Sequence, residues 1–181
     1  MTNERKFELN FIFFLITITT LRVVWLQVTN LDLYGDEAQY WIWSKNLDWG
    51  YYSKPPVLAM LIAATTSVCG DGEACVRMSS PLLHCLNGVL IYILGRKFFN
   101  SALGVWCGLL YATMPSVFIS SGFISTDPIF ITCWLLALIF FVKALESQSM
   151  LYWFLTGIAA GLGMLSKYSM LIFLLSVIVF L

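Results

Sequence analysis

Residues 7–28 read FELNFIFFLITITTLRVVWLQV, with Glu8 near the start, Arg22 near the far end and no other charge. A hydrocarbon core of roughly 30 Å takes about 20 helical residues to cross. Lipid offers no partners for open backbone groups, so a run of this length and composition reads as a membrane-crossing α-helix. Arg5 and Lys6 precede it as they would in a signal peptide. No small-residue cleavage site follows, so it reads as a retained signal anchor in which Arg22 snorkels outward.

The rest of the chain repeats the pattern. Of 181 residues, 60% are hydrophobic and 11% charged, and mean hydropathy is +0.84, beyond the range of soluble domains. Further spans are expected at about 74–95, 102–123, 128–145, 150–166 and 168–181, giving six in an all-α polytopic bundle that forms a single domain, 1–181. The last run stops after about 14 residues without an interface anchor, so the chain reads as the N-terminal part of a longer protein. Net charge is zero and there is no basic block, which argues against nucleic acid as a partner and leaves membrane lipids.

Between the first two spans lies an outer loop, residues 29–73, rich in acidic and aromatic residues: Asp32, Asp36, Glu37, Trp41, Trp43, Asp48, Trp49, Tyr51 and Tyr52. Such a mixture belongs at headgroup depth. Asp36-Glu37-Ala38-Gln39 has the form of a capping box, which starts a short interfacial helix at Asp36. Residues 55–69 are apolar but too short for an easy crossing, hence interfacial or re-entrant. With that assignment Arg5, Lys6, Arg96, Lys97 and Lys143 fall inside, and Lys45, Lys54, Arg77 and Lys167 outside. The outer side also collects Asp32, Asp36, Glu37, Asp48, Asp71, Glu73 and Asp127, against Glu4, Glu8 and Glu146 inside.

Five cysteines and one histidine, without CxxC spacing, do not make a zinc site. Cys69 and Cys75 bracket a polar turn and bridge if it faces an oxidising compartment; two free thiols are the alternative. Asp36, Glu37, Lys54, Asp127 and Lys167 converge on the outer face under this topology. A partly desolvated carboxylate there is suited to deprotonating a hydroxyl. A lysine framed by Tyr51, Tyr52, Pro55 and Pro56 is suited to holding phosphate. Each also has a plain structural reading: Asp36 and Asp127 as helix caps, Glu37 as a solvated charge, Lys54 as a snorkelling side chain, Lys167 as a marker of an outer turn. Arg77, His84 and Asn87 share a helix face and read as a buried polar contact.

The run from Tyr34 to Trp41, with Gly50-Tyr51-Tyr52-Ser53-Lys54-Pro55-Pro56, Thr126-Asp127-Pro128 and Leu165-Ser166-Lys167-Tyr168, resembles the family 39-like glycosyltransferases of the GT-C fold. These include protein O-mannosyltransferase-like enzymes, lipid A aminoarabinose transferases and lipopolysaccharide galacturonosyltransferases. The resemblance implies transfer from a polyprenyl-phosphate sugar to a glycan, lipid A or protein acceptor at the outer face of the cytoplasmic (inner) membrane. It implies Asp36 as catalytic carboxylate, Glu37 as its neighbour and Asp127 as a second carboxylate. Lys54 and Lys167 become contacts of the donor phosphate, with Tyr40, Tyr51 and Tyr52 in the substrate loop. No cofactor is evident; a divalent cation is compatible with the pattern but not indicated by it. The competing readings are a transporter or lipid flippase using Arg22, Arg77 and His84, and a non-catalytic membrane assembly subunit.

Overall fold

The structure, a computed structural model, describes residues 3–29 and 31–180. Asn30 of the outer loop and Leu181, the last residue of the final expected span, lie outside the described residues. The chain is an all-α membrane protein, with α1 (Asn3–Val28), α2 (Gly35–Lys45), α3 (Val57–Cys69), α4 (Glu73–Arg77) and α5 (Ser79–Phe98) in its first half. Then come α6 (Ser101–Thr113), α7 (Pro115–Ser120), α8 (Thr126–Ser147), α9 (Met150–Met164), a 3₁₀ turn at Tyr168–Met170 and α10 (Leu171–Phe180). Glu4–Val28, Glu73–Phe98 and Thr126–Ser147 are long and apolar enough to cross a membrane. The second of these joins α4 to α5 through Met78, which keeps helical dihedrals.

Residues 102–123, expected as one span, are two helices. Met114 adopts φ −58° and ψ 135°, because a residue before proline is driven out of the α region and Pro115 has no N–H to continue the ladder. The break leaves carbonyls at the end of α6 to be satisfied from outside the helix. Asn100 closes the other end, its Oδ1 accepting from the Leu103 N–H at 2.9 Å. Between α2 and α4, α3 (Val57–Cys69) is followed by Gly70, whose φ of 91° suits glycine. Cys69 and Cys75 form a disulfide with Cα atoms 5.9 Å apart, so of the two sequence readings the bridge holds.

Packing follows membrane rules, where close approach rather than water exclusion joins helices. α5 lies on α6 with glycine against glycine: a Cβ on Gly104 would stand 2.7 Å from the Tyr92 carbonyl oxygen and 2.8 Å from the Arg96 nitrogen. Backbone cannot yield as a flexible side chain can, so Gly104→Ala is expected to cost about 1–3 kcal/mol. A melting temperature equal to the parent's in detergent would show that the two helices do not depend on that contact. α8 pairs with α9, and Ala137, Phe141, Ala159 and Ala160 form a core there with Met170 of the 3₁₀ turn and Phe173 of α10. Tyr40, Leu58, Ile62, Val76 and Ile124 form a second core that fixes α2 and α3 over the mouth of the bundle.

Candidate active site

Glu37 is the anchor of the segment between α1 and α5. Its side chain is 3% exposed and that of its partner Arg77 4%. Arg77 Nη2 donates to Glu37 Oε2 at 2.6 Å and Arg77 Nε to Oε1 at 3.0 Å, a two-pronged contact that suits the planar guanidinium. The same carboxylate accepts from the Tyr34 N–H at 3.0 Å and the Ile124 N–H at 2.8 Å. Arg77 completes its shell on the Leu31 and Asp32 carbonyls, both at 2.9 Å, and lies over the Phe123 ring. One ion pair thus ties residues 31–34, α2, α4 and the link 121–124 together.

Two sequence expectations change here. Glu37 is not solvated: its buried oxygens are filled by donors, and through them it fixes the start of α2, which carries Asp36. Arg77 does not meet His84. His84 instead bonds the Tyr111 hydroxyl at 2.8 Å and the Ser120 hydroxyl at 3.1 Å, while Asn87 donates to Tyr111 and to the Pro128 carbonyl. The helix also begins one residue earlier than expected, at Gly35, with Glu37 closing back onto Tyr34. It is Glu37, not Gln39, that makes this return contact.

Asp36, on the first turn of α2, is exposed, and its carboxylate takes no hydrogen bond or ion pair among the described residues. One turn on, Tyr40 is buried. Burial pushes its phenol above the ordinary value, and the Asp36 and Asp127 carboxylates push it the same way. The hydroxyl therefore stays protonated at neutral pH. Asp127 sits in the first turn of α8 behind Ser125, the residue at the cap position, so it does not cap that helix. Its Oδ1 accepts from Lys167 Nζ at 2.5 Å, and Lys167 lies over the Phe130 ring.

Lys54 is half-buried, on a turn closed by the Tyr51 N–H to the Lys54 carbonyl at 3.1 Å, and has no carboxylate partner among the described residues. Three residues on, the Val57 N–H donates to the Leu165 carbonyl at 3.1 Å, which brings the 51–57 segment beside the one carrying Lys167. Tyr51 stacks on Trp43 with ring centroids 4.7 Å apart, and its hydroxyl donates to the Trp43 carbonyl, so it staples the loop to α2. Tyr52 is fully exposed. Among the described residues, no three His, Cys, Asp or Glu side chains cluster as metal ligands.

Arg77 is the site-building residue that the sequence reading did not join to Glu37. The signal was available: a cation at the edge of an apolar run needs a carboxylate.

Fold and site together define a polytopic helical membrane protein that brings to one end of its bundle a carboxylate and a lysine without ion-pair partners among the described residues, and a carboxylate–lysine pair. The chain belongs to the dolichyl-phosphate-mannose-protein mannosyltransferase family, whose model matches residues 53–181. This agrees with the resemblance carried by the first-loop motifs. The chain is 37% identical over 154 residues to the lipid A galacturonosyltransferase RgtD of Rhizobium johnstonii, covering 84% of this chain and 33% of that protein. It is 31% identical over 147 residues to the undecaprenyl phosphate-alpha-4-amino-4-deoxy-L-arabinose arabinosyl transferase of Pseudomonas aeruginosa, covering 78% and 26%. It thus spans about a third or less of the length of these relatives. No solved structure gives a significant match.

Proposed function

We propose that the chain carries the donor-side catalytic face of a membrane glycosyltransferase. The enzyme moves a sugar from a polyprenyl-phosphate donor to a lipid, glycan or protein acceptor at the outer face of the cytoplasmic membrane. The observation that carries this reading is Asp36: an exposed carboxylate held by the buried Glu37–Arg77 pair at the end of the bundle that also holds Lys54, Asp127 and Lys167.

In the reaction, the acceptor hydroxyl oxygen bonds to the anomeric carbon as the bond from that carbon to the phosphate oxygen breaks. The bonding pair leaves with the polyprenyl phosphate, and the hydroxyl proton passes to Asp36. Lys54, which has no carboxylate partner among the described residues, meets the charge that grows on the phosphate. Lys167, balanced by Asp127, offers a second cation at the same end. Attack opposite the departing phosphate inverts the anomeric centre. The relatives' names specify lipid A and undecaprenyl phosphate, which makes lipid A the first acceptor to test. The Cys69–Cys75 disulfide supports an outer loop in an oxidising compartment.

The transporter reading needs an open polar path. Arg77 and His84 are instead closed into local bonds.

Right-side-out vesicles from cells carrying the gene, supplied with a polyprenyl-phosphate sugar and lipid A, are expected to form sugar-modified lipid A detectable by mass spectrometry. Equal product from vesicles lacking the gene would remove the reading for that acceptor. Product formed only by inverted vesicles would put the site on the other face.

A further inference from the structure

Arg22 is a buried charge that the proposed reaction does not use. It lies in the last third of α1, which ends at Val28, and is 7% exposed. Its Nη2 donates to the Ala112 carbonyl at 2.7 Å, near the end of α6, where the break at Met114–Pro115 leaves carbonyls open. That contact uses the negative end of the α6 dipole, but it occupies only one of the guanidinium donors. Arg22 Nε has no hydrogen-bond partner, and neither has the Thr19 hydroxyl one turn earlier. Among the described residues, no carboxylate lies within ion-pair distance of Arg22. An intramembrane cation with a dipole but no counter-ion is costly, and such residues are functional until shown otherwise.

The space beside it supplies the missing half. Arg22 lines a cavity of about 270 Å³ between α1 and α7, walled by Leu21, Trp25, Phe118, Ile119 and Gly122. It also lines a second apolar recess at the helix break, which shares Ile18, Phe118 and Ile119 with the first. Phe118 and Ile119 are 67% and 61% exposed, so the groove opens onto an apolar surface of the kind that acyl chains cover. A soluble anion has no way to wet such walls. The occupant must bring its own chain and its own negative charge.

We propose that this groove binds one anionic phospholipid, an acyl chain lying along α7 and a phosphate oxygen against Arg22. The reacting phosphate is a different one. Link 121–124 separates the two places, with Ser121 and Gly122 walling the groove while Phe123 and Ile124 contact Arg77 and Glu37 on the catalytic side. A bound lipid thereby braces the link whose N–H holds Glu37.

The test is lipid retention by the purified chain, delipidated from nanodiscs containing equal phosphatidylglycerol and phosphatidylcholine and read by native mass spectrometry. A charge-assisted contact predicts that phosphatidylglycerol is kept about tenfold over phosphatidylcholine. Arg22→Gln, which keeps a donor for Ala112, is expected to hold both lipids equally. Ile119→Trp fills the groove while leaving the Arg22 charge in place and is expected to hold neither. Equal retention of the two lipids by the parent, or Ile119→Trp retaining phosphatidylglycerol like the parent, would overturn the proposal. These two arms decide the matter even if Arg22→Gln does not fold. Displacement of phosphatidylglycerol by undecaprenyl phosphate at equal concentration would likewise overturn it, giving the groove to the donor.

Discussion

An Asp36→Asn enzyme is expected to fold as the parent does and to transfer sugar about 10²–10⁴ times more slowly, the range that a positioned general base supplies. The two halves of that expectation have separate causes. Asp36 is exposed and holds nothing else in place among the described residues, so its charge is not part of the packing. Losing a carboxylate from the first turn of a helix costs only about 0.3–1 kcal/mol of dipole interaction. The rate loss arises because the amide cannot take the acceptor proton. Transfer assays beside a thermal melt in detergent read both quantities. Full activity with an unchanged melt would remove Asp36 from the chemistry and leave the non-catalytic subunit reading ahead.

The all-α membrane architecture was legible because it rests on a local quantity, the length of apolar runs against the thickness of the bilayer. The short helix in the first loop was legible from Asp36 to Gln39, also a local signal, although its cap lies at Tyr34. What the sequence could not show was pairing at a distance. Nothing near Glu37 says that its partner is Arg77, forty positions on, or that an N–H from Ile124 completes its shell. Tyr51 is a similar case, since nothing in the loop sequence says that its ring stacks on Trp43. The split at Pro115 was open to a proline argument, but hydropathy averaged over 102–123 hides a one-residue break. The burial of Tyr40 depends on how α2 is laid against α3, and packing of the Tyr40 and Ile124 core sets that.

That core and its ion pair predict the largest effect on folding. Arg77→Met is expected to cost about 3–5 kcal/mol, because it strands the Glu37 carboxylate in a site without water. It also leaves the Leu31 and Asp32 carbonyls without their donor. Against a total stability of about 5–15 kcal/mol this is enough to empty the folded state of a marginal protein. Arg77→Lys should rescue little, since a single ammonium cannot reach both carboxylate oxygens and two backbone carbonyls as the guanidinium fork does. The double variant Glu37→Gln with Arg77→Met is expected to recover part of the loss, because it removes the stranded charge while the new side-chain amide oxygen still accepts from the Ile124 N–H. Melting followed by size-exclusion fluorescence separates these cases. A single Arg77→Met variant melting within a few degrees of the parent would mean that water reaches Glu37, and α2 would then be held by its apolar face alone. Asp36 would lose its rigid mount in that event, so activity would tolerate Arg77 substitution as well. If the pair is the anchor, stability and transfer must instead fall together in Arg77→Met and recover together, at least in part, in the double variant.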